Sequence, residues 1–232
     1  MPSPVWLDSG FASTEGRELK ARKIEAVVAD FRGKGTIAEW NILDIGCGSG
    51  HIAAYFAPRN RVAACDVVDQ VTTPQRACFA LVIADTAQLP FADGSFDLIL
   101  SNHVIAYLRD PQRHVREIAR LLKPDGVAYV ATPNRYFPFE PHTKMPLVHW
   151  LPDTLYRWIM RWLTGCSDAY HVPGSWELLT WFGAAALQSQ DYTMRIINDP
   201  ERFHMPAPRR VRLPEACKWL SPTCIFMLSR CA

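Results

Sequence analysis

The stretch Ile42-Leu43-Asp44-Ile45-Gly46-Cys47-Gly48-Ser49-Gly50 decides the fold. Its first four residues, an apolar run with one embedded acid, have the pattern of a buried parallel strand. Three glycines at alternate positions follow, and then His51 to Ala57, whose composition is helical. Glycine at every second position permits a sharp strand-to-helix turn and lets a ligand approach the main chain without meeting a Cβ. The helix start leaves unpaired N–H groups beside that turn, so a polar ligand is expected to rest there. A glycine-rich turn without a ligand reads the same in isolation. The remainder of the chain separates the two.

On the N-terminal side, residues 14–31 are rich in helix formers, with Leu19, Ile24, Val27, Val28 and Phe31 at helical spacing, and Gly33 and Gly35 end the run. On the C-terminal side, Pro58 stops the helix that leaves the turn. Arg61 to Asp66 then forms a second strand, ending in an acid that either accepts ribose hydroxyls, as in doubly wound sheets, or caps a loop. The segment 67–79 holds Pro74 and few helix formers, so a short helix is expected. Ala80 to Asp85 is a third strand and Phe96 to Ser101 a fourth, with Asn102 and His103 at its tip. Pro111 opens a helix running to Leu122, buried through Val115, Ile118, Ala119 and Leu122. After the turn Pro124-Asp125-Gly126, Val127 to Ala131 is the fifth strand. Strands alternating with helices imply a parallel sheet covered on both faces.

From Thr132 to Gly174 the alternation breaks into a proline- and aromatic-rich insertion, where His142, His149 and His171 can converge with His103. Asp153 caps a helix over 154–164, with Leu155, Ile159, Trp162 and Leu163 on one face and Arg157 and Arg161 elsewhere. Regularity returns with a helix over Ser175–Leu187, a strand over Tyr192–Ile197 and a last strand over Thr223–Ser229. The organisation expected is therefore one domain over 1–232. It comprises an N-terminal helical cap (1–40), a core (41–131), an insertion (132–174) and a C-terminal part (175–232).

The chain has 232 residues, about half of them apolar, and a formal net charge of +2. Near-neutrality disfavours a protein built to grip nucleic acid, and Arg202, Arg209, Arg210 and Arg212 read as solvated surface. Seven cysteines without CxxC pairing indicate reduced thiols in a cytoplasmic setting. Met1 to Trp6 lacks the basic start and apolar core of a signal peptide, and no apolar run reaches membrane-spanning length.

With these pieces placed, the chain resembles the class I S-adenosylmethionine-dependent methyltransferases, in particular their small-molecule, type 11-like branch. LDIGCGSG at 43–50 looks like the family's cofactor loop, and Asp66 matches its ribose-binding acid. Asp85-Thr86 before Leu89-Pro90-Phe91, then Ser95 to Ile99, matches the adenine-side signature, and Leu121 to Val127 matches the hairpin before strand five. A dinucleotide GxGxxG loop fits less well, because the third glycine comes one position early.

The resemblance implies an α/β, Rossmann-like fold with a doubly wound, seven-stranded, mostly parallel sheet whose last strand is antiparallel, plus an insertion after strand five. It implies S-adenosyl-L-methionine as cofactor. Gly46, Cys47, Gly48 and Gly50 would meet its methionine end, with Asp44 supporting the amino group. Asp66 and Val67 would hold the ribose side, Asp85 and Thr86 the adenine, and Asn102 the methionine portion. His103, Glu140 and His142 are the candidate catalytic residues, with His103 either a base or a packing residue. Glu140 and His142 can form an acid/base pair, can offer with His149 a divalent metal site, or can be part of a polar cluster that fixes a lid; no metal is assigned. The helix 154–164 can cover the active site, form a dimer contact or touch a membrane surface. The expected activity is methyl transfer to a small or medium-sized acceptor in a biosynthetic pathway (glycan, lipid-linked or specialised metabolite), with oxygen preferred because glutamate and histidines lie near the pocket. A cofactor-binding subunit without turnover is the alternative.

Overall fold

The computed structural model describes residues 14–33, 35–86, 88–140, 143–164, 171–205 and 213–231. Its seven strands are β1 (Asn41–Ile45), β2 (Arg61–Asp66), β3 (Ala80–Ile83), β4 (Phe96–Asn102), β5 (Leu122–Pro133), β6 (Leu187–Asp191) and β7 (Thr223–Arg230). They form one sheet in the order β3-β2-β1-β4-β5-β7-β6. β1 to β5 pair in parallel, and β7 runs antiparallel to both β5 and β6. Winding reverses between β1 and β4, which places a crevice at their carboxyl ends, where open α/β sheets bind ligands.

The helices are α1 (Thr14–Arg32), α2 (His51–Phe56), α3 (Thr73–Arg76), α4 (Pro111–Leu121), α5 (Asp153–Thr164), α6 (Ser175–Ala184) and α7 (Thr193–Asn198). Side chains alternate across each strand and so feed two cores. On one face Leu43, Ile45 and Ile99 pack with Val115 and Ile118 of α4 and with Leu178 and Phe182 of α6. On the other, Ile42, Leu98, Leu100 and Tyr129 pack with Ile24, Val27 and Val28 of α1, Phe56 of α2 and Ile196 of α7. None of the described helices is long and apolar enough to cross a membrane.

Two expectations are corrected. The sixth strand is Leu187–Asp191, while the stretch expected as a strand, 192–197, is mostly helix α7. β6 is the sheet edge and exposes Gln188, Ser189 and Gln190, so it lacks an apolar signal. Asp191 then accepts from the Thr193 amide at 2.8 Å and starts the helix. The helix expected to reach Leu187 stops at Ala184, where the chain turns through Ala186 at a φ of 54°. In α5 the inward residue is Tyr156, whereas Leu155 and Trp162 of the apolar stripe face solvent.

Candidate active site

The turn 46–50 is stitched to β2, because the amides of Gly46 and Cys47 both donate to the Cys65 carbonyl at 2.8 and 3.1 Å. Gly46 and Gly50 have φ of 69° and 80°. A Cβ at Gly46 would stand 2.5 Å from Val104 Cγ2, and one at Gly50 would stand 2.7 Å from Phe79 Cζ. Over Gly48 a Cβ would meet nothing within 4 Å. The turn is thus packed at both ends and open in the middle, where a ligand can reach the main chain.

Two buried acids flank that opening. Asp66, at the end of β2, accepts from the Gly48 amide (Oδ2, 2.8 Å) and the Val67 amide (Oδ1, 2.8 Å). Asp44, fully buried in β1, accepts from the Ala53 amide but has no partner for Oδ2. Burial is the main cause that pushes its carboxyl up to about 7, with the nearby Asp66 adding to it. Cys47 lies between them. Burial first, and then Asp44 and Asp66, hold its thiol well above the ordinary range, and its Sγ points to the Gly48 carbonyl. Val67 beside the Asp66 carboxylate is 60% exposed and Ile83, opposite Asp66 in the sheet, 53%. Together they offer an apolar flank to a planar ring.

These features fit the cofactor expected from the sequence. An orphaned buried carboxylate oxygen suits an ammonium group, a β2-terminal carboxylate suits a ribose diol, and the open Gly48 leaves room for the chain between them. The structure therefore gathers Asp44, Gly46, Cys47, Gly48, Gly50, Asp66 and Val67 around one opening. Asn102 ends β4, immediately past the pairing of Ile45 with Ser101. His103 follows at a φ of 61°, its amide bound to the Ala131 carbonyl at 2.8 Å. A non-glycine residue in that left-handed region at a strand tip is a position held by its surroundings.

Asp85 and Thr86 sit just beyond β3, and sequence reasoning missed what holds them. Three residues of α4, His114, Glu117 and Arg120, project from one side at three-residue spacing. His114 Nδ1 meets the Thr86 carbonyl at 3.3 Å, Glu117 accepts from the Leu89 amide at 2.8 Å, and Arg120 donates to the carbonyls of Phe91 and Leu89 at 2.9 and 3.2 Å. The β3–β4 connection is thereby clasped along its length. The signal available in the sequence was the polar series His-x-x-Glu-x-x-Arg inside an otherwise apolar helix face.

On the substrate side, Glu140 is fully buried. Its Oε2 accepts from the amide and the hydroxyl of Thr143, and its backbone exchanges hydrogen bonds with Lys144 and Met145. It thereby ties residues 143–145 to its own backbone and side chain. Burial and then the Glu140 carboxylate push the Tyr107 hydroxyl up to about 12, and the same two causes raise Tyr156. His149 Nε2 and Trp150 Nε1 both donate to the Arg135 carbonyl, at 2.9 and 2.7 Å. His171 is held instead by the Ala106 carbonyl and Glu177. Among the described residues no three histidine, cysteine or acidic side chains gather as a metal site. His142 lies outside the described residues, as do Arg209, Arg210 and Arg212.

A reversed-winding sheet with one antiparallel strand, a glycine turn after β1 and an acid at the end of β2 defines the class I S-adenosylmethionine-dependent methyltransferase fold, and S-adenosylmethionine is the cofactor of that class. Residues 43–130 match the family described as a methyltransferase domain. A Mycobacterium tuberculosis protein named "Probable S-adenosylmethionine-dependent methyltransferase" is 35% identical over 111 residues, covering 46% of this chain and 40% of that protein. The malonyl-[acyl-carrier protein] O-methyltransferase of Enterobacter lignolyticus is 32% identical over 119 residues, covering 50% and 46%. The chain thus spans under half the length of each of these relatives. Among solved structures, the PH0226 protein of Pyrococcus horikoshii superposes with a TM-score of 0.63 at 14% identity, covering 98% of this chain and 96% of that one.

Proposed function

We propose that this protein transfers a methyl group from S-adenosylmethionine to an oxygen of a small or medium-sized acceptor in a biosynthetic route. The observation that carries the reading is the set of polar groups on the adjacent strands β1, β2 and β4 around the glycine turn: unpartnered Asp44 Oδ2, the Asp66 carboxylate bound to the Gly48 amide and, one strand over, the Asn102–His103 tip. When bound, S-adenosylmethionine supplies a methyl carbon activated by a positively charged sulfur. Asp44 orients the amino group, Asp66 the ribose and the 85–86 segment the adenine. Positioning of this kind supplies much of the acceleration in a two-substrate transfer. His103, at the strand tip just past β4, takes the proton of an acceptor hydroxyl. Glu140, tied to Thr143, works as a positioning residue, and His142 is its partner in acid–base work on the acceptor. The oxygen preference is supported by the name of the Enterobacter relative.

The test is incubation with methyl-labelled cofactor and extracts of the native host. Labelled product supports transfer; tight cofactor binding with no product in any extract supports a cofactor-binding subunit without turnover. His103→Asn, which tolerates the left-handed backbone, is expected to lower kcat about 100-fold or more while leaving cofactor affinity within about twofold. Unchanged kcat would remove His103 as the base.

The outward face of α5 supports a lipid-linked acceptor. Leu155, Trp158, Ile159, Trp162 and Leu163 fall at helical spacing, Trp158 and Trp162 are 64% and 77% exposed, and Arg157 and Arg161 flank them in solvent. Tryptophan and leucine beside arginine is the make-up of a helix that lies in an anionic bilayer surface. Sedimentation with phosphatidylglycerol vesicles, and not with phosphatidylcholine ones, is expected for the native chain and should be lost in Trp158→Ser/Trp162→Ser. Equal sedimentation of both proteins would overturn the bilayer reading, and self-association lost in the variant would assign the face to a dimer.

A further inference from the structure

His114 has no part in the chemistry above, yet it is completely buried and hydrogen-bonded at both ring nitrogens. Nδ1 lies 3.3 Å from the carbonyl of Thr86, and Nε2 lies 3.0 Å from Ser101 Oγ, itself fully buried in β4. A carbonyl can only accept, so the ring carries its proton on Nδ1, and Nε2 accepts from the serine hydroxyl. That is the arrangement of a neutral imidazole with both nitrogens satisfied. The ring thus spans from the strand next to the cofactor turn, where Ser101 pairs with Ile45, to the segment that meets the adenine.

We propose that His114 is a positioning residue of the cofactor site, a neutral strut that fixes the Thr86 main chain against β4 and so sets the adenine-side segment before ligand arrives. Glu117 and Arg120 clasp the connection further along, at Leu89 and Phe91, but His114 is the clasp residue that reaches Thr86. Its neighbours with charge are Glu117 and Asp85. Burial is the main reason that its ring is held down at about 4, so the strut stays neutral through the physiological range. The proposal rests on the reading that Asp85 and Thr86 serve the adenine.

The experiment compares the native protein with His114→Leu and His114→Asn. Calorimetry with S-adenosylhomocysteine and with methylthioadenosine, which has the adenine but no amino-acid end, is expected to show about tenfold weaker binding of both ligands to His114→Leu, the size expected of one lost hydrogen bond to a pre-set loop. His114→Asn keeps an N–H near the Nδ1 position and should recover most of the affinity. In ligand-free protein, amide exchange at Gln88 and Leu89 should quicken by about tenfold in His114→Leu. Should that variant fail to fold, Ser101→Ala, which frees Nε2 alone, is expected to weaken binding several-fold. A folded variant with native affinity, or one that loses melting temperature with affinity and local exchange unaltered, makes His114 a packing residue and overturns the proposal. If the native protein binds neither ligand, the cofactor reading falls, and the exchange comparison alone decides whether the strut exists.

Discussion

Asp66→Ala is expected to weaken binding of S-adenosylmethionine by at least about two orders of magnitude while the protein stays folded. Hydrogen bonds to a charged group contribute about 1.5–3 kcal/mol each, and each factor of ten in affinity is about 1.4 kcal/mol, so losing two ribose contacts alone reaches that figure. A second loss compounds it. Asp66 Oδ2 also receives the Gly48 amide at 2.8 Å, so the variant releases the middle of the turn from β2. The fold should survive because Asp66 ends its strand, and the β1–β2 ladder from Asn41–Arg61 to Ile45–Cys65 lies before it. Calorimetry on a variant with a native melting profile is the measurement. Affinity within threefold of the native value would take Asp66 out of the ribose role.

The second large effect is the dependence of cofactor affinity on pH. In the free protein burial raises the Asp44 carboxyl from its ordinary 3.8 to about 7. An ammonium group placed at Oδ2 favours the ionised form, so binding below pH 7 must first expel a proton. Affinity should therefore fall by about tenfold for each pH unit below 7, with protons released to the buffer. Asp44→Asn should bind more weakly and with no such slope. A native profile flat from pH 5 to 8 would separate Asp44 from the amino group.

Stability gives an independent check on sign. A carboxyl whose folded value is raised favours folding as pH falls from about 7 towards 3.8. His114, whose folded value is held down at about 4 against an ordinary 6.5, gives stability that is complete above 6.5 and lost as pH falls towards 4. The effects are on the order of 4 kcal/mol for Asp44 and 3 kcal/mol for His114, and in the free protein they oppose one another. Cofactor removes the Asp44 contribution, so the loaded protein is expected to be the more acid-sensitive of the two, as thermal melts across pH 4–7 will show.

The strand-turn-helix over 42–56 was legible because strand, glycines and helix are contiguous and each has its own local signature. Asp66 and Asp85 were legible for a similar reason, since an acid closing an apolar run marks a strand tip. What joins them was not. His114, Glu117 and Arg120 act on backbone groups of residues 86–91, and nothing in the helix spells out which carbonyl or amide lies opposite. β6 was hidden because an edge strand with three exposed polar residues has no apolar alternation. The periodicity of α5 was readable, but its direction was not: the helix is anchored through the buried Tyr156 beside Glu140, so the stripe of Leu155 and the two tryptophans turns outward.

Cys47 has one more consequence. The turn places a sulfur nucleophile within the cradle of a methyl donor, a pairing that invites self-alkylation. Only the thiolate reacts at a useful rate, and burial first, with the acids around Cys47 adding to it, keeps the side chain in the thiol form. The same buried, negative surroundings that welcome a cationic guest thereby protect the host from being modified by it.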